Sequence, residues 1–121
     1  NLFSKLISTD SRIIIATDFQ QIRPVKDSIQ FRVTLEEDQR SRLKEELNKS
    51  GIPISYFGGL NNTNARLYQN WNFLDLKNTF LPNTKKHLSE VFDLRLPVHF
   101  DVEHIETISK TFLNTLSNIE Y

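Results

Sequence analysis

Ile29-Gln30-Phe31-Arg32-Val33-Thr34-Leu35-Glu36-Glu37 decides the fold. Ile29, Phe31, Val33 and Leu35 are apolar and alternate with Gln30, Arg32 and Thr34. A period of two sends one set of side chains inward and the other to solvent, which is the pattern of a half-buried strand. The strand runs straight into Thr34-Leu35-Glu36-Glu37, a capping-box pattern with a Thr hydroxyl for the first turn and a Glu reaching back. Leu35, Gln39, Leu43 and Leu47 then recur every four residues, while Glu36, Glu37, Arg40, Lys44, Glu45 and Lys49 occupy the other faces. So narrow an apolar stripe predicts a helix lying on the surface of a sheet. Gly51, after Asn48-Lys49-Ser50, is free to take the left-handed conformation that ends such a helix.

Moving outward, Leu2, Phe3, Leu6 and Ile7 keep helical spacing up to Ser8-Thr9-Asp10, and Ile13 to Ala16 is a short β-branched run ahead of a polar stretch with Pro24. On the other side, Ile52, Ile54 and Tyr56 alternate with Pro53, Ser55 and Phe57; Pro53 cannot donate to a ladder, so this reads as an edge strand. Gly58-Gly59 ends it. From Leu60 to Leu81 periodicity is lost, in a region rich in Asn and carrying Tyr68, Trp71, Phe73 and Phe80. Long aperiodic stretches are functional or disordered, and the aromatics argue against disorder. Asn83 is the expected cap of a short helix with Leu88, Val91 and Phe92 on its buried face. Phe92, Leu94, Leu96 and Val98 alternate as a further strand. Asp101 caps a final helix whose stripe is Val102, Ile105, Ile108, Phe112, Leu116 and Ile119, the strongest periodic signal in the chain. The expected fold is α+β: one domain over residues 1–121, with a small, mostly antiparallel sheet of three to four strands covered by helices on one face.

Composition narrows the function. The 121 residues carry 15 Lys plus Arg and 15 Asp plus Glu, hence no net charge. A nucleic-acid partner and a polybasic membrane patch both call for a basic excess, so neither is expected. No cysteine is present, which excludes disulfides, thiolate metal sites and cysteine nucleophiles. The longest apolar run, Ile13-Ile14-Ile15-Ala16, is far below the roughly 20 residues of a membrane span. The start at Asn1-Leu2-Phe3 and the lack of any methionine suggest a piece of a longer protein without a secretory leader.

No catalytic set is complete on residue types and spacing. His99 and His104 lie five apart and no HExxH occurs, so a helical zinc pair is not expected and the three histidines read as surface or half-buried residues. Ser41-Arg42-Leu43-Lys44 matches S-x-x-K only in form, inside a solvated helix. Gly58-Gly59 lacks the spacing of a phosphate loop; it is either a turn needing positive φ or a point of close approach to a ligand. Glu36-Glu37 and Glu45-Glu46 read as a solvated face. The N-x-S/T triplets at Asn48 and Asn61 read as chance in a chain of this composition. The loop from Asn61 to Trp71 is either a polar, aromatic-lined wall for a sugar or nucleotide, or a segment that only packs Tyr68 and Trp71 on the domain.

The order Gly51-Ile52, long loop, Leu81-Pro82-Asn83-Thr84, Leu96-Pro97-Val98-His99 and a terminal helix from Asp101 resembles the small C-terminal domain of the DegT-type sugar-nucleotide aminotransferases, which are fold-type I pyridoxal-phosphate (PLP) enzymes. Phe31-Arg32-Val33 and the helix after it fit the start of that domain, so the resemblance covers residues 28 to 119 and extends to the whole chain. It implies a cytoplasmic enzyme that moves an amino group onto a keto-sugar carried by a nucleotide, with PLP as electron sink. PLP, its Schiff-base lysine and most phosphate contacts would belong to a large N-terminal domain absent from this chain, so no PLP is expected on this chain alone and no residue of it is assigned a catalytic role. The implied partners are that large domain, a nucleotide-sugar substrate and, in the parent enzyme, a second subunit in a homodimer. The implied substrate-binding residues are Tyr56, Asn61, Asn64, Arg66 and Tyr68, with Arg66 suited to a phosphate or carboxylate by its paired donors. Many family members carry a Tyr-Pro-x-Pro-Leu-His type segment after the Gly-Ile strand; here Tyr56-Phe57-Gly58-Gly59-Leu60 follows, so no substrate-contacting histidine is carried over. The other reading of the chain is a free-standing, non-catalytic α+β module that binds a ligand or a protein.

Overall fold

The structure is a computed structural model, and it describes residues 2–16, 27–59, 62, 64–97 and 99–119. Its elements in chain order are α1 (Leu2–Ile7), β1 (Ile13–Ile15), β2 (Ser28–Val33), α2 (Glu37–Lys49), β3 (Ser55–Tyr56), α3 (Pro82–Leu88), β4 (Val91–Arg95) and α4 (Val102–Ile119), with a single 3₁₀ turn at Tyr68–Asn70. The four strands form one antiparallel sheet in the order β1-β2-β4-β3. The last strand in sequence therefore inserts between the second and third, and the long segment after β3 has to travel out and back. The fold is α+β, as the alternation in β2 and the stripe in α4 predict.

The register explains the core. Ile15, Phe31, Phe92 and Tyr56 stand opposite one another across all four strands. The rings of Phe31 and Phe92 stack at 6.0 Å, and those of Phe92 and Tyr56 at 4.7 Å. Phe112 of α4 meets Phe31 edge-on at 5.4 Å, and Phe3 of α1 touches both at 6.2 and 6.4 Å. Leu43 and Leu47 of α2 complete the cluster with Leu116 and Ile119 of α4. Three helices thus cover one face of the sheet. The other face presents Ile14, Gln30, Arg32, Asp93 and Ser55, the residues out of phase with the core set.

Local details depart from the sequence reading in instructive ways. Helix α2 starts later than the Thr34 capping pattern implies: Thr34 turns its hydroxyl back to the Arg12 carbonyl (3.1 Å), and the Glu36 N–H instead donates to Gln39 Oε1 (3.0 Å). β1 runs close enough to β2 to claim the Thr hydroxyl first. At the other end the expectation holds. Gly51 has φ +85°, the Ile52 N–H reaches the Leu47 carbonyl (2.9 Å) and the Gly51 N–H that of Asn48 (3.0 Å), the bonding of a Schellman cap. Asn83 is not the cap of α3; Leu81 precedes the helix and Pro82 opens it, because the fixed φ of proline suits the first helical position. Val91 and Phe92 belong to β4 and not to that helix. In α4, Asp101 Oδ1 accepts the His104 N–H (3.0 Å), so Asp101 is the cap. The residues Pro24 and Val98, used in the sequence reading, lie outside the described residues.

Arg40 overturns its assignment to the polar face of α2. It is 7% exposed, and its Nε donates to the Tyr56 hydroxyl (2.9 Å) while Nη1 donates to the Leu35 carbonyl. The Tyr56 hydroxyl in turn donates to the Ser89 carbonyl (2.8 Å). The guanidinium thereby ties α2 to the Leu35 backbone and to β3, and Tyr56 carries the link on to Ser89 at the end of α3, where an apolar contact would leave buried oxygens unpaired. Among the described residues, no helix is long and apolar enough to cross a membrane.

Candidate functional site

The segment after β3 folds on its asparagines. The Asn62 side-chain amide donates to the carbonyls of Tyr56 (2.7 Å) and Gly58 (3.0 Å), and its oxygen accepts the Asn64 N–H (3.0 Å). Asn64 repeats the motif by accepting the Arg66 N–H (2.9 Å). Asn70 then donates to the carbonyls of both Asn62 (3.0 Å) and Asn64 (2.8 Å). Asparagine does this because its short amide reaches the backbone two residues on and mimics a turn. The Trp71 indole N–H closes the loop on the Ala65 carbonyl (2.7 Å), and Leu67 and Tyr68 pack inward.

Two glycines permit the approach. A Cβ on Gly58 would lie against the Tyr56 hydroxyl and 2.5 Å from the Ser89 carbonyl oxygen, and Gly59 has φ +89°. Gly58 therefore answers the question its sequence left open: the close neighbour is this chain's own Tyr56.

The result is an open cleft of about 760 Å³ between α2 and the free edge of β3. Ser41, Lys44, Glu45 and Asn48 line it from α2, Ile54 to Tyr56 from β3, and Gly58, Gly59, Asn62 and Asn64 from the loop. The lining offers a hydroxyl, an ammonium, a carboxylate and amides within one concavity. Such a set can bond the hydroxyls and carbonyls of a polar ligand from several directions. No histidine lines it.

The nominated residues divide. Tyr56 and Asn64 stand in this cleft. The Tyr56 hydroxyl, however, is engaged by Arg40 and Ser89, and burial pushes its pKa above the ordinary phenol value, against a smaller opposing effect of the Arg40 hydrogen bond. Asn61 lies outside the described residues. Arg66 leaves the cleft for the open sheet face, where Nη1 meets Asp93 Oδ2 at 2.7 Å and the guanidinium sits 5.5 Å from the Phe57 ring centre. Half of its side chain remains exposed, so donors are left for an anion. Tyr68 is 8% exposed and lines a separate groove with Phe80, Lys85 and Lys86.

Sequence reasoning missed Asn62, Lys44 and Asn48 as cleft residues, and Asp93 as the partner of Arg66. The N-x-N-x-R spacing from Asn62 to Arg66 carries a signal for successive Asx turns; nothing local announces that one face of α2 borders the loop. Asp93 carries an ion pair although it reads as an ordinary outward strand residue, because β4 is central and the loop covers its outer face.

The described residues do not fit PLP. The cofactor needs a lysine amine held against it and a carboxylate at its ring nitrogen. Lys5, Lys44, Lys49, Lys77, Lys85, Lys86 and Lys110 are all exposed, and Lys49 meets the Glu46 carboxylate at 2.8 Å on the surface of α2. Among the described residues no group of three or more His, Asp or Glu side chains is placed to hold a metal ion. No protein-family model matches the chain, and no curated protein matches it.

Proposed function

We propose that this chain is the small domain of a cytoplasmic, PLP-dependent aminotransferase acting on a nucleotide-linked keto-sugar, and that it forms one wall of the substrate cleft. PLP and its lysine would come from a large domain outside this chain. The observation that carries the reading is the polar cleft at the β3 edge. It lies on the segment that the family resemblance assigns to the substrate, and its amide, hydroxyl and ammonium groups suit a polyhydroxylated ligand. The order of elements from β2 to α4 supports the same reading.

Lys44 offers the cleanest test. It is exposed on the cleft lip and makes no ion pair among the described residues, so its loss should spare the fold. In the complete enzyme, Lys44→Ala should raise the KM for the nucleotide-sugar about tenfold with kcat little changed, the loss of one charged contact of about 1.4 kcal/mol. An unchanged KM would remove the cleft from the substrate path.

A further inference from the structure

Beside the polar cleft, two further concavities adjoin each other. One, of about 500 Å³, is walled by Tyr68, Phe80, Leu81 and Pro82; the other, of about 440 Å³, by Phe57, Leu67 and Asn70. Glu37, Lys85 and Ser89 line both, so they stand where the two meet. Glu37 comes from the first turn of α2 and Lys85 from α3. This junction carries both signs of charge without pairing them: neither Glu37 nor Lys85 forms an ion pair among the described residues. A carboxylate and an ammonium too far apart to meet are bridged by a molecule that carries an ammonium and a carboxylate side by side. An α-amino acid does so, because its ammonium donates to one and its carboxylate accepts from the other. A purely anionic ligand, such as phosphate, would be drawn by Lys85 and repelled by Glu37.

Tyr68 adds an independent sign of a ligand. The residue is 8% exposed and lines the groove, and its hydroxyl makes no hydrogen bond among the described residues although that oxygen is not sealed from solvent. A buried phenol normally holds a partner. A ligand carboxylate between Lys85 and Tyr68 would supply the missing acceptor. The wall beside them selects the rest of the molecule. Phe80 is 85% and Leu81 41% exposed, with Pro82 next in the same wall. A short or charged side chain would leave these surfaces in water, whereas a large apolar one covers them. The volume is within the ordinary range of a small-molecule site.

We propose that this groove binds a free α-amino acid with a large apolar side chain. Its ammonium sits on Glu37, its carboxylate on Lys85 and the Tyr68 hydroxyl, and its side chain on Phe80 and Leu81. The proposal does not depend on the aminotransferase reading, which concerns the cleft at the β3 edge.

L-phenylalanine is the probe, titrated into the full 121-residue chain and followed by the amide NMR shifts. The work is done at about pH 7, where both charges of the probe are present. Saturable shifts centred on Glu37, Tyr68 and Lys85 are expected, with a Kd of about 1 mM or below for a ligand of about 12 non-hydrogen atoms. Phenylethylamine lacks the carboxylate and 3-phenylpropionate lacks the ammonium, so each should bind about tenfold more weakly or worse. L-glutamate, which sets a charge against Phe80 and Leu81, should also be about tenfold weaker. Glu37→Gln and Lys85→Gln should each weaken L-phenylalanine about tenfold, and Tyr68→Phe about fivefold. Far-ultraviolet circular dichroism should stay unchanged, because these substitutions remove only an unpaired charge or an unbonded hydroxyl. The proposal would be overturned by no saturable binding up to about 10 mM, or by shifts centred elsewhere. Equal binding of L-glutamate or of either singly charged probe, or affinity unchanged in any of the three variants, would overturn it as well.

Discussion

Arg40 is a buried charged residue that joins separate parts of the fold. Its guanidinium satisfies the Tyr56 hydroxyl and the Leu35 carbonyl, and Tyr56 passes the connection to Ser89. Arg40→Met should keep the volume and lose about 2 kcal/mol of stability in urea melts, because buried oxygens are left without donors. A loss under about 0.5 kcal/mol would show that water reaches them instead. Tyr56→Phe separates the hydroxyl from the ring: the stack on Phe92 survives, and the cost should be about 1–3 kcal/mol. It also carries a pH signature. Burial raises the Tyr56 pKa in the folded chain, so below the unfolded value of about 10 both states are protonated and the contribution is intact. As pH rises past that value the unfolded chain ionises first, and stability falls until the folded pKa is passed. Wild type should therefore lose stability more steeply above about pH 10 than Tyr56→Phe, and parallel curves would contradict the assignment. Asp10 gives the opposite case. The Arg12 side chain bonds its carboxylate at 2.6 and 2.9 Å and holds its pKa below the usual carboxylate range. That contribution is present above the unfolded value of about 3.9 and disappears as pH falls through the folded one.

At the scale of elements, what the sequence discloses follows how local each signal is. The stripe of α4 and the alternation of β2 are complete within their own residues, and both elements appear where the pattern puts them. The Schellman glycine is equally local, and Gly51→Ala should cost about 1 kcal/mol through its positive φ alone. Arg40 was not legible, because a charged residue beside a narrow apolar stripe reads as solvated until the partner, 16 residues on, is known. The loop was half legible. Its asparagines announce turns, but whether those turns wall a cleft depends on β4 returning between β2 and β3, which no local pattern encodes. Gly58→Ala tests this packing. The new methyl would press on Tyr56 and the Ser89 carbonyl, so a loss of about 1–3 kcal/mol is expected, and a neutral outcome would mean the loop can step away from β4.

For the whole molecule, the covered face of the sheet holds the core, and the segment beyond β3 carries most of the large exposed apolar side chains among the described residues. A polar cleft borders α2, an Arg66–Asp93 pair lies on the open sheet face, and exposed aromatics follow in the same run of chain. The aminotransferase reading places PLP on a large domain outside this chain, as the family resemblance implies. The most direct test is the visible absorption spectrum of the complete gene product after PLP is added and the excess removed. The complete product should show the yellow absorption of lysine-bound PLP, and the 121-residue chain alone should lack it. A colourless complete product would contradict the aminotransferase reading.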